Sequence, residues 1–189
     1  MSILLKKTQE ELKKYSTPEA KAATLKFVPN AKKVYGIRTP VLNELAKKYK
    51  EGGFELVDEL WKSGAFEEQM LAAKMLRHIC RKDHGKALRF VKKFSKGVSN
   101  WAVCDTLGMQ SLKPIAKKIQ QEIFDLSKEL MQSSNYWQRR LSLVLIEVFT
   151  KDKLLHPEIE KRAIAFEKDE EYYVRKAVVW IKRNLKKGR

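Results

Sequence analysis

Apolar residues recur along the chain at intervals of three and four positions, and almost nowhere do they alternate as a strand requires. The pattern predicts helices throughout. Thr17-Pro18 and Thr39-Pro40 each read as a helix cap followed by proline at the first helical position. Ser99 and Asn100 make a cap before Trp101. Gly52-Gly53, Asp83-His84-Gly85, Ser133-Ser134-Asn135 and Lys151-Asp152 read as short turns. Stacking the predicted helices exposes a repeat. Phe66, Trp101, Trp137 and Tyr173 stand near helix starts at spacings of 35, 36 and 36 residues. Gln69, Cys104, Arg140 and Lys176 follow three residues later, and Ala72, Leu107, Leu143 and Val179 six residues later. A period in the mid-thirties with two helices per unit predicts an all-α chain: an α-solenoid of HEAT-like repeats, curved around a basic concave groove. Without a low-complexity linker, residues 1–189 are expected to form a single domain.

Three of these helices carry a second face. In the last, Val174, Ala177, Val178, Ile181 and Leu185 make the core stripe, while Tyr173, Lys176, Trp180 and Arg183 make another that mixes aromatics with cations. After Asn100, Val103, Cys104 and Leu107 point one way, and Trp101, Asp105 and Gly108 another. After Asn135, Leu141, Val144, Leu145 and Val148 form the core with Arg140 at its edge. Trp101, Asp105, Arg140 and Trp180 thus come from faces other than the core, where interleaved aromatic and cationic groups suit stacking and phosphate contact. Asp105 and Arg140 lie in successive repeats; an inter-repeat ion pair and a shared ligand are both open to them.

Charge sharpens this picture. The 189 residues hold 40 Lys+Arg against 23 Asp+Glu, a formal net charge of +17, which points to a polyanionic partner. Two cysteines imply no disulfide framework. No apolar run approaches the roughly 18 residues of a membrane span, and the N-terminal stretch lacks a signal-peptide core. The expectation is a cytoplasmic, nucleoid-associated monomer without membrane contact. A Gly-rich phosphate loop, a nucleophile elbow and metal-ligand spacing are all missing from the sequence, so no cofactor and no metal are expected.

Four segments together resemble a known family: YGIRTPVLNELAK (35–47), SNWAVCDTL (99–107), NYWQRRLSL (135–143) and EYYVRKAVVWIKR (171–183). In order and spacing they are similar to the AlkD-type DNA alkylation repair proteins, DNA glycosylases built from HEAT-like repeats. The resemblance implies that Trp101 and Asp105 line a lesion pocket and that Trp180 flanks the damaged nucleotide. It implies that Arg140 and Arg183 contact the DNA backbone; Lys176 and Arg38 are further candidate DNA-binding cations. Ala102 departs from the pattern, because the family often carries a second acid directly after that Trp.

The implied partner is double-stranded DNA with alkylated bases. The implied function is release of positively charged N3- or N7-alkylated purines by carboxylate-assisted hydrolysis of the N-glycosidic bond. The alternatives are a non-catalytic HEAT-repeat module for damaged or structured DNA, and a helical scaffold gripping an acidic protein.

Overall fold

Helix starts follow the side chains that can satisfy their first amides. In the computed structural model, which describes residues 2–187, Thr17 Oγ1 accepts from the Ala20 amide ahead of α2 (Pro18–Phe27). Asp83, Asn100 and Asn135 do the same for α6 (His84–Ser95), α7 (Trp101–Gln110) and α9 (Tyr136–Ile146). Three expectations shift by a residue or more, the first at Gly53, which opens a helix instead of lying in a turn. Thr39 is already the first residue of α3 (Thr39–Lys48), with Arg38 at the cap position and no side-chain cap bond. His84 and Gly85 belong to α6, so only Asp83 remains of the expected turn.

The other helices are α1 (Ile3–Lys14), α4 (Gly53–Lys62), α5 (Phe66–Ile79), α8 (Gln120–Met131), α10 (His156–Ile164) and α11 (Tyr172–Lys187). Among the described residues there is no strand, and the fold is all-α. The repeat seen in the sequence is real. Phe66 and Trp101 open α5 and α7, while Trp137 and Tyr173 are the second residues of α9 and α11.

The chain forms two compact units, Met1–Pro114 and Ile115–Arg189. In the first, α5 is the axis. It is buried along nearly its whole length and packs against α3, α4 and α7. Trp61 of α4 stacks on Phe94 of α6 with ring centroids 4.3 Å apart. In the second, α9 is the axis, packed against α8, α10 and α11. The Ser127 hydroxyl of α8 donates to the Ser142 carbonyl of α9 at 2.8 Å. Trp137 and Tyr173 bring their rings within 5.1 Å. On α11 the core stripe holds Val174, Ala177, Val178 and Ile181 as expected. The residue buried beyond them is Asn184 rather than Leu185, its amide donating to Glu147 at 2.9 Å.

The first unit depends on a buried acid. Glu67 is fully buried at the start of α5, where the helix dipole favours negative charge. Its carboxylate accepts the backbone amides of Tyr35, Gly36 and Ile37 at 2.9, 2.7 and 3.2 Å. Gly36 has φ +92°, and a Cβ there would lie 2.5 Å from the Thr17 carbonyl oxygen, so only glycine fits. The adjacent Glu68 accepts from the Tyr35 hydroxyl at 2.6 Å. This short segment sets the path from α2 into α3. Replacing Glu67 with Ala strands two buried amides and a half-buried one. It is expected to cost about 3 kcal/mol and to lower Tm by roughly 6–12 °C. A thermal melt showing no shift would mean that the segment is held by other contacts.

Candidate functional site

The first unit contains a cavity of about 670 Å³, walled by α2, the start of α3, α5 and α7. Its volume is that of a small-molecule site. The lining is mostly apolar and aromatic, including Phe27, Phe66, Met70, Trp101 and Met109. Four charged residues reach it: Glu19, Arg38, Lys74 and Asp105. Three residues expected from sequence, Trp101, Asp105 and Arg38, therefore share one cavity. Trp101 and Asp105 lie one turn apart on α7, both half-buried, while Val103, Cys104 and Leu107 behind them are fully buried. Arg38 is exposed at the start of α3.

The Trp101 indole is pinned. Its Nε1 donates to the Phe27 carbonyl at 3.1 Å, tying α7 to the end of α2. This tie matters because α2 buries none of its own residues. The helix is anchored at its start by the Thr17 amide, which donates to the Gly36 carbonyl at 2.9 Å, and at its end by Trp101.

The second unit holds the remaining expected residues. Arg140 is only 6% exposed, deeper than the core edge where the sequence puts it, and its Nη1 donates to the Tyr173 carbonyl of α11. Lys176 and Arg183 are exposed on α11, and Trp180 is half-buried between them. The Lys176 ammonium sits 5.2 Å over the Tyr172 ring. The entry to α11 is fixed by Arg139, which meets Asp169 with two nitrogens at 2.8 and 3.1 Å. Burial pushes the Asp169 carboxyl up, but the Arg139 guanidinium and the Glu171 amide outweigh it and hold it below the ordinary carboxylate value.

Sequence reasoning missed Lys74 and the α2 wall. Lys74 left a signal, a cation inside the apolar run LAAKML (71–76). The α2 wall left none, since Ala20, Ala23 and Thr24 carry no distinctive chemistry. Among the described residues no three His, Cys, Asp or Glu side chains gather to hold a metal ion.

Comparison with known proteins decides the family. A family model for the DNA alkylation repair enzymes matches residues 8–188, nearly the whole chain. The chain belongs to the DNA alkylation repair enzyme family. No curated protein matches it in sequence. A solved structure described as a predicted DNA alkylation repair enzyme from Enterococcus faecalis superposes with a TM-score of 0.77 at 18% identity. It covers 92% of this chain and 84% of its own, a likeness of fold. Within this DNA alkylation repair family member, no helix among the described residues is long and apolar enough to cross a membrane.

Two consequences can be measured. Trp101→Phe removes the indole donor while keeping an aromatic ring. Amide exchange across residues 18–28 is expected to rise about five-fold, the worth of one hydrogen bond; unchanged exchange would show that the bond does not restrain α2. Asp169→Asn is expected to cost about 2 kcal/mol at neutral pH. The native carboxyl is depressed, so the wild-type advantage is full above the unfolded value of about 3.9. That advantage shrinks as pH falls through the native value. Denaturant titrations of both proteins at neutral and acidic pH test this.

Proposed function

We propose that the protein is a DNA N-glycosylase of the AlkD type, releasing N3- or N7-alkylated purines from duplex DNA without a cofactor. The observation that carries the reading is the sharing of one apolar cavity by Trp101 and Asp105 in a chain of formal charge +17. Such a chain meets the DNA backbone through its cations. An acid beside an indole in that setting suits a cationic, flat group.

The chemistry follows from the lesion. A purine alkylated at N3 or N7 carries positive charge and leaves as a neutral base when the bond between C1′ and its ring nitrogen breaks. Cationic character then develops on the deoxyribose. The Asp105 carboxylate stabilises that charge and orients a water whose oxygen bonds C1′, the proton passing to the carboxylate or to solvent. The Trp101 face favours the cationic sugar or base through its quadrupole. On α11, Trp180 offers a stacking face, and Lys176 and Arg183 offer phosphate contacts, as does Arg38 on the first unit. Arg140 is the oriented cation of the set. With Nη1 on the Tyr173 carbonyl its guanidinium plane is fixed, which favours phosphate recognition in one geometry.

Asp105→Asn is expected to slow release of 7-methylguanine from alkylated DNA about 100- to 1,000-fold, while binding of undamaged duplex changes little. Equal release by variant and wild type removes Asp105 from the chemistry. Duplex binding with no base release by either protein favours a non-catalytic module for damaged DNA.

A further inference from the structure

A second cavity, of about 490 Å³, adjoins the first and shares Thr39, Lys74, Met109 and Gln110 with it. Its chemistry is opposite. Lys47, Lys74, Arg77 and Lys113 line it against one carboxylate, Glu44, and His78 completes the rim. Lys47, Arg77, His78, Lys113 and Glu44 are exposed, whereas Lys74 is 3% exposed. Among the described residues none of the four cations pairs with a carboxylate.

Lys74 is the anomaly. Taking an ammonium out of water costs several kcal/mol, and buried lysines are ordinarily paired with an acid. Here Nζ donates only to two neutral amide oxygens, Asn43 at 2.8 Å and Gln110 at 3.3 Å. The other acids of α5, Glu67 and Glu68, are committed to the Tyr35–Ile37 segment. Burial, and then the Arg77 charge, hold the Lys74 ammonium below its ordinary pKa. Asn43 lines only the second cavity, so the charge is held toward the basic side, away from the apolar wall.

We infer that this cavity seats a backbone phosphodiester of bound duplex DNA, beside the cavity that holds Trp101 and Asp105, with Lys74 as its buried anchor and Arg77 and Lys113 at its mouth. The inference rests on the reading of DNA as substrate. It adds a phosphate site on the first unit, formed by α3, α5 and the end of α7. The shared wall suits a nucleotide, whose cationic base and sugar want an acid and an aromatic while its phosphate wants cations.

The test is the salt dependence of binding to undamaged duplex, read by fluorescence anisotropy for the full chain. Lys74→Met fills the same volume without charge, and is expected to lower the slope of log K against log salt by about 0.9, one phosphate contact. The double variant Arg77→Gln/Lys113→Gln changes only exposed side chains and is expected to lower it as well, so the inference stays testable if Lys74→Met fails to fold. Lys13→Gln on α1, outside both cavities, is expected to leave the slope unchanged. Slopes equal to wild type in both cavity variants overturn the inference, as does an equal fall in the control. Saturable binding of inorganic phosphate at Lys74, Arg77 and His78, seen by NMR with the duplex slope unchanged, assigns the cavity to a free phosphate ligand and also overturns it. No base is released in this assay. Failure of the glycosylase reading with a lowered slope leaves the phosphate site standing, and absence of any duplex binding removes both.

Discussion

The acceptance of three consecutive backbone amides by the Glu67 carboxylate is the constraint on which the rest of the first unit hangs. A helix N-terminus stabilises an acid, and an acid so placed can organise whatever backbone passes over it. Here that backbone is the Tyr35–Ile37 segment, with glycine at the one position that turns left-handed. Fixing that segment fixes where α2 ends and α3 begins. Those two helices, with α5 and α7, then enclose the apolar cavity. The site is therefore a by-product of how one buried charge is satisfied. The same acid makes α5 unusual, because a helix buried on all sides would ordinarily be apolar throughout.

Much of this was legible in the sequence. Caps announce themselves by residue type, and Thr17, Asp83, Asn100 and Asn135 lie where the first free amides need an acceptor. The recurrence of aromatics at 35 and 36 residues marks helices that pack against equivalent neighbours, and the tilted contact of Trp137 with Tyr173 is that recurrence made physical. The rest was hidden for a common reason. Burial of a charged residue is decided by neighbours distant in the chain, so periodicity puts Arg140 at the core edge and does not single out Glu67 or Lys74. Each is satisfied instead by a backbone or side-chain group about thirty positions away. Asn184 replaced Leu185 in the core because Glu147, on another segment, supplies its partner.

Charge is partitioned rather than spread. Within the first unit an apolar cavity holds Asp105 and an indole, and the cavity beside it collects cations with a single acid. A uniform basic surface would attract a polyanion but would repel any cationic group. The two linings follow one another along α5, Phe66 and Met70 on the first and Arg77 and His78 on the second, and meet at Lys74. Lys74, on the shared wall, is turned to one side by Asn43, and the acid keeps the other.

The loosely docked α2 bears on how such a protein can change over time. Ala20, Ala23 and Thr24 face the cavity from a helix that buries none of its own residues. Exchanging them for larger or smaller side chains reshapes the cavity wall without opening voids in the core, so it draws little on the thin stability margin of a folded protein. The opposite wall, on α5 and α7, has no such latitude, because fully buried residues such as Leu71, Ala73 and Cys104 stand directly behind it. The architecture thus joins a fixed chemical wall to an evolvable one. Selection for a ligand of different size would find its easiest route through α2.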